Sequence, residues 1–225
     1  MPTINVNRKG DATGTVSSNF NTARTSNAAS VTDGTTNNNF PVQYFKSSGR
    51  GGGTIRFKRA FLHFDTSSIT GTLSAAHIDI DGGSFGGPDP NDTIMVKSTA
   101  FGGDGGTALA TTDFYSSIDY STAYSTELTS WSTSNNEYTL TAAALADIKN
   151  NDNFTLAIIE HDSDYTGSDQ GDGAYDIHIN FAATITLDYT LAATGYSNAV
   201  NGVAAANISK VNGVATASIS KVNGI

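Results

Sequence analysis

The stretch that most limits how this chain can fold is residues 54–65, TIRFKRAFLHFD. In an extended strand, successive side chains point to opposite faces. Ala60, Leu62 and Phe64 therefore share one face, and Phe61 points to the other. Residues 73–83, LSAAHIDIDGG, repeat the same alternation after a short turn. These two stretches predict two successive β-strands.

The rest of the chain has the composition of an all-β protein with long loops. Short runs of Thr, Tyr, Phe, Ile and Val alternate with segments rich in Gly, Asn and Ser. Such a pattern predicts an antiparallel β-sandwich. Residues 142–152, AAALADIKNND, form the one segment that predicts a short helix. The chain has no cysteine, which excludes disulfides, thiol chemistry and cysteine-bound zinc.

Charge and hydropathy argue against two classes of partner. The formal net charge is −9, whereas a nucleic-acid-binding surface needs clustered Lys and Arg. No apolar run approaches the ~20 residues of a membrane span, and the N-terminal MPTINVNRKGD lacks the apolar segment of a signal peptide. We therefore expect neither a nucleic acid nor a membrane as a partner.

One segment of the chain is nevertheless basic. Five of the twelve basic residues fall within fourteen positions: Lys46, Arg50, Arg56, Lys58 and Arg59. The cluster fits a solvated strand face, or else a docking patch for an acidic protein surface or an acidic glycan.

Residues 59–81, RAFLHFDTSSITGTLSAAHIDID, resemble the signature of carbohydrate-binding-module-like jelly rolls of the DNRLRE type. The matching positions are Arg59, Phe64, Asp65, Ser67, Ser68 and Ile69. Trp131 and the segments EYTLTAAALADI, NFTLAIIEHDSDY and ATITLDY are similar to later elements of that group. The resemblance covers roughly residues 1–192 and implies a jelly roll, a fold that occurs in phage particle proteins and in secreted enzymes. Asp65 is expected to close the turn after its strand by accepting N–H groups.

Residues 193–225 are predicted to form a separate repeat tail. The eleven-residue sequence NGVAAANISKV is repeated as NGVATASISKV, and a third copy starts with NGI. The SKVNGV core of this repeat resembles repeats at the C-termini of phage structural and fibre proteins. The Asn-Gly pairs favour hairpin turns between strands. An eleven-residue helical repeat and a flexible tail are the alternatives. As a strand, the tail is expected to attach to a neighbouring chain through its apolar residues, which are Val203, Ile208, Val211, Val214, Ile219 and Val222.

Two candidate ligand sites precede the tail. Residues 160–173, EHDSDYTGSDQGDG, form an acidic, Gly-rich loop typical of structural calcium, with Glu160, Asp162, Asp164, Asp169 and Asp172 as the candidate ligands. The loop lacks the final Glu of an EF-hand, and a solvated acidic loop is the alternative. A second cluster predicts a glycan-binding aromatic platform, unless its members belong to the core: Phe114, Tyr115, Tyr120, Tyr124 and Trp131.

No arrangement in the sequence predicts catalysis. The four histidines are isolated in predicted strands, and no Gly-x-Ser-x-Gly motif occurs. We therefore expect a non-enzymatic structural protein of a virion, in particular of a phage: a capsid decoration protein, or a head or tail fibre subunit. Its expected partners are other virion proteins such as the major capsid protein, copies of itself, and a host glycan. The alternatives are a secreted or cell-surface carbohydrate-binding module and an extracellular filament subunit.

Overall fold

The computed structural model describes residues 1–34, 39–49, 53–86, 92–180, 185–192, 210–211 and 214–215. The chain divides into two compact units, Met1–Thr190 and Leu191–Ile225. Among the described residues, no helix is both long enough and apolar enough to span a membrane.

Antiparallel strands make up most of the first unit. The strands are β1 (Thr3–Asn5), β2 (Arg8–Gly14), β3 (Ala28–Asp33), β4 (Asn39–Ser47), β5 (Thr54–Asp65), β6 (Leu73–Gly86), β7 (Thr93–Ser98), β8 (Ile118–Ala123), β9 (Asn135–Thr139), β10 (Asn153–Glu160), β11 (Gly173–Asn180) and β12 (Thr186–Leu191). They follow the order β1-β12-β6-β11-β4-β5-β10-β7-β8, while β2 joins β5, β3 joins β2, and β9 joins β6. The predicted all-β antiparallel sandwich is confirmed.

Three α-helices interrupt the strands: α1 (Phe20–Thr25), α2 (Asp113–Ser116) and α3 (Ala142–Asn151). The last is the helix that the sequence predicts, and the Thr141 hydroxyl caps it by accepting the N–H of Ala144 at 3.4 Å. Two further helical turns are Ala100–Gly102 and His161–Tyr165. The prediction of a single helix missed all of these short segments because three to six residues are too few to display a helical period.

Strand β5 is buried on both faces. Its residues Ala60, Leu62 and Phe64 share one apolar cluster with Ile78 and Ile80 of β6, as the alternation predicts. Phe61 belongs to a second apolar cluster on the opposite face, which includes Phe57 of the same strand and Phe114 of α2. The structure therefore has two apolar layers, and β5 contributes to each.

The turn after β5 has the predicted geometry. The carboxylate of Asp65 accepts hydrogen bonds from the backbone N–H of Ser67 at 3.0 Å and from its hydroxyl at 2.6 Å. These two hydrogen bonds lower the pKa of Asp65. A local motif thus ends the strand, as its sequence indicates.

The described part of the second unit is a two-stranded antiparallel ladder. Strand β13 (Lys210–Val211) pairs with β14 (Val214–Ala215), with Val211 opposite Val214. The side chain of Val214 is 50% exposed. Antiparallel pairing on either side of one Asn-Gly pair agrees with the strand interpretation of that repeat. The other predicted attachment residues lie outside the described residues: Val203, Ile208, Ile219 and Val222.

Candidate functional site at the end of strand β10

The acidic loop begins with a carboxylate that caps a helical turn. Glu160 ends β10, and its side chain accepts the backbone N–H groups of Asp162, Ser163 and Asp164 at 3.0, 2.8 and 2.9 Å. Because Glu160 is only 4% exposed, burial raises its pKa to about 7. These three hydrogen bonds hold the turn His161–Tyr165 against the strand end.

Asp164, another predicted calcium ligand, forms a buried ion pair with Arg59. The Nε and Nη2 atoms of Arg59 donate to the two carboxylate oxygens of Asp164 at 2.6 and 2.7 Å. Neither side chain has significant contact with solvent. A bidentate ion pair of this kind compensates much of the free-energy cost of removing both charges from water.

Further contacts complete the surroundings of this ion pair. Arg59 donates to the backbone carbonyls of Phe114 and Arg24, and its guanidinium lies 3.8 Å from the centroid of the Phe114 ring. The Nε of Arg24 donates to the carbonyl of Asp164 at 2.7 Å. The guanidinium of Arg24 also lies 4.2 Å from the centroid of the Tyr120 ring. The ion pair therefore joins β5, α1, α2 and the turn after β10.

The last two predicted calcium ligands face other partners. The two carboxylate oxygens of Asp169 accept hydrogen bonds from Lys46 Nζ, at 2.8 and 2.7 Å. Asp172 accepts from the N–H and the hydroxyl of Ser48.

Four of the five predicted calcium ligands therefore have partners within the chain. Glu160 caps a helical turn, Asp164 neutralises an arginine, and Asp169 and Asp172 bind the segment around Lys46. Only Asp162 lies in a cluster of potential metal ligands. Two of these carboxylates, Asp164 and Asp169, form ion pairs with the basic segment that runs from β4 to β5.

Three of the five residues of the basic cluster have partners within the chain, and Arg50 lies outside the described residues. Arg59 is fully buried against Asp164, Lys46 pairs with Asp169, and Arg56 donates to the side-chain carbonyl of Gln43 at 2.8 Å. A docking patch would need these groups to face solvent, and Arg59 does not.

The predicted aromatic platform is wrong for most of its members. Phe114, Tyr124 and Trp131 are buried, with 0%, 2% and 7% of their surface exposed. Tyr124 stacks on Phe154 with ring centroids 4.9 Å apart. Aromatic rings contribute to the stability of a core through stacked contacts of this kind. These three residues belong to the core.

The two remaining platform residues do not present a flat face by themselves. Tyr115 and Tyr120 are half-buried and lie 5.6 Å apart, with their rings inclined by 37°. The hydroxyl of Tyr120 donates to Asp164 at 3.3 Å. Among the described residues, Phe85 is the only aromatic residue that is largely exposed.

A different cluster forms where three segments meet beside Glu160. The Nδ1 atom of His161 lies 3.2 Å from the Glu127 carboxylate and 3.0 Å from that of Asp162. The ligand atoms of these three residues all lie within 4.8 Å of one another. We refer to Asp92, Glu127, His161 and Asp162 together as the strand-end cluster.

Asp92 is the buried member of the strand-end cluster. It is 8% exposed, and its Oδ1 atom has no hydrogen-bond partner among the residues that the structure describes. Burial, together with the charges of Glu127 and Asp162, raises the pKa of Asp92 to about 6. Asp92 and Glu127 could not be recognised from the sequence, because neither lies in a recognisable spacing with the loop after β10.

In comparisons with known proteins, no protein-family model matches this chain, and no curated protein sequence matches it significantly.

Proposed function

We propose that this protein is a non-catalytic structural component of a virus particle, a capsid decoration protein or a fibre subunit, attached through its C-terminal repeats. The observation that carries the role is the division of the chain. One unit has apolar cores on both faces of a sheet, and the other contains the repeats. Such a division suits a body presented on a surface and a short segment that makes the attachment.

The described repeat strands favour attachment by strand pairing. Two residues on each side of an Asn-Gly pair form an antiparallel ladder, and Val214 is half exposed. A two-stranded ribbon is only marginally stable in water. Additional strands from a neighbouring chain would supply main-chain hydrogen bonds and cover the apolar side chains.

The alternative expectation of a carbohydrate-binding module loses its main support. It depended on an exposed aromatic platform, and three of the five aromatic residues are buried. An extracellular filament subunit remains distinguishable by experiment, because it would assemble without any particle.

We expect the full chain in stoichiometric amounts in purified particles, and a version ending at Ala193 to be absent from them. The truncated chain should retain the far-UV circular dichroism of a β-protein, because its core does not depend on the repeats. Mass spectrometry of purified particles checks incorporation. Normal incorporation of the truncated chain would contradict attachment by the tail, and filaments formed by the pure protein would favour the alternative.

A matched pair of variants separates apolar attachment from charge. Changing Ile208, Val211 and Ile219 to serine should release the protein from particles, whereas changing Lys210 and Lys221 to glutamine should have little effect. Binding of the unaltered protein should also survive about 0.5 M salt, where exposed charges are strongly screened. Release by salt while the serine variant stays bound would mean that charged residues of the body hold it.

A further inference from the structure

The strand-end cluster is fixed in place by backbone hydrogen bonds from three segments. Strands β10 and β7 pair with Glu160 opposite Thr93, which brings the end of one strand to the start of the other. The N–H of His161 donates to the carbonyl of Asp92 at 2.9 Å. Thr93 and Leu128 exchange two hydrogen bonds of 3.1 and 2.8 Å, which hold the adjacent Glu127 nearby. The four side chains therefore belong to a rigid frame, although they come from distant parts of the sequence.

The cluster concentrates negative charge, and no lysine or arginine forms an ion pair with it among the described residues. It contains three carboxylates and one imidazole, and the ion pairs of Glu127 and Asp162 within the described residues are with His161. Two other carboxylates of this fold have basic partners, since Asp164 pairs with Arg59 and Asp147 pairs with Lys97. Carboxylates placed together without such a partner repel one another.

The buried member supplies an independent indication of a ligand. More than nine-tenths of Asp92 is buried, and its Oδ1 atom lacks any partner among the described residues. Asp92 lies directly beside the other three residues, since its backbone carbonyl accepts the N–H of His161 at 2.9 Å. Leaving a buried acceptor unsatisfied is costly, so an occupant that interacts with this oxygen would remove a penalty.

We propose that Glu127, His161 and Asp162, with the buried Asp92 beside them, bind one divalent metal ion of the kind that accepts both imidazole and carboxylate ligands, with Zn²⁺ as the best candidate and Mn²⁺ as the second. The imidazole distinguishes this site from a calcium site, because Ca²⁺ and Mg²⁺ prefer ligand sets made of oxygen atoms alone. Stacking on Tyr165, with ring centroids 5.5 Å apart, orients the imidazole of His161. The open side formed by Asp162, whose side chain is 51% exposed, gives the ion access.

The structural consequence of binding would be to connect the start of β7, the segment after β8 and the turn after β10. A ligand that binds only the folded chain raises its stability in proportion to the logarithm of the ligand concentration. The site does not depend on the proposed virion role, and a negative result here would leave that role unaffected.

The full chain offers an internal control for this proposal. His77, Asp79 and Glu137 form a second group of similar composition, with ligand atoms also within 4.8 Å of one another. This group lies on the paired strands β6 and β9, and Glu137 is exposed. Its described members include no buried carboxylate oxygen without a partner. It should bind metal weakly at most.

The test measures Zn²⁺, Mn²⁺ and Ca²⁺ binding to the full chain after treatment with a chelator, by calorimetry and by the shift of the thermal unfolding midpoint. We expect one Zn²⁺ per chain, a raised midpoint, and tighter binding of Zn²⁺ than of Ca²⁺. His161→Ala and Asp92→Asn should each raise the Kd for Zn²⁺ at least tenfold, whereas His77→Ala should leave it unchanged. His161→Gln, which keeps a polar side chain of similar length, repeats the test if His161→Ala fails to fold.

Three results would overturn the proposal. The first is the absence of Zn²⁺ and Mn²⁺ binding, which would leave a proton shared between Asp92 and Glu127 as the explanation of the cluster. The second is binding that His77→Ala removes and His161→Ala does not. The third is Ca²⁺ binding that is tighter than Zn²⁺ binding and insensitive to His161.

Discussion

Replacing Asp164 by alanine is expected to lower the free energy of unfolding by about 3–5 kcal/mol, because it leaves the Arg59 guanidinium buried without a counter-charge. Both side chains of the pair are almost completely inaccessible to solvent, so water cannot replace the lost carboxylate. Urea denaturation in the presence of a chelator measures the change without a contribution from bound metal.

Two further variants show whether the loss comes from the uncompensated charge. Asp172→Ala removes an exposed carboxylate of the same loop, which accepts from Ser48, and should cost about 0.5 kcal/mol or less. The double variant Arg59→Met with Asp164→Leu removes both charges and should recover much of the stability. A loss for Asp164→Ala no larger than that of Asp172→Ala would contradict the role of the buried pair.

Replacing Phe64 by alanine should cost about 3–5 kcal/mol, as is usual when a buried phenylalanine is removed from a core. Phe64 has no exposed surface. It lies opposite Phe154 in the ladder between β5 and β10, with ring centroids 6.4 Å apart. Chemical denaturation of the purified chain measures the change in free energy of unfolding.

Phe85→Ala is the matched control for this prediction. Phe85 also lies in a strand, but its side chain is 50% exposed, so its removal should cost about 0.5 kcal/mol or less. Phe64→Leu should show a smaller loss than Phe64→Ala, which keeps the comparison measurable if the alanine variant does not fold. Equal stability of Phe64→Ala and Phe85→Ala would mean that β5 does not carry its apolar face into the core.

Features that depend on neighbours in sequence could be predicted. The bounds of β5 match the predicted strand, and α3 (Ala142–Asn151) falls within the predicted helix at residues 142–152. The turn at Asp65 has the expected hydrogen bonds to Ser67. Strand alternation, helix capping and side-chain-to-backbone turns act over a few residues, and a single sequence displays them directly.

Choices among distant partners could not be predicted. The loop after β10 and the segment from β4 to β5 were recognised as acidic and basic, but nothing in their spacing paired Asp164 with Arg59, 105 positions away. The same composition was therefore interpreted as a calcium loop. The aromatic residues raised the same difficulty, since a sequence shows that Phe114 and Trp131 are aromatic and not whether a second layer covers them.

The sequence by itself determined the class of fold, the alternation of apolar faces in the long strands, and the repeat character of the last thirty-odd residues. Each of these follows from local periodicity, which any extended or repeating chain must obey. Only the tertiary structure decided which carboxylates neutralise arginine and which are left together beside His161. Burial and charge pairing depend on the distance between segments that the folded sheets bring into contact, and that distance is not encoded in the spacing of any one segment.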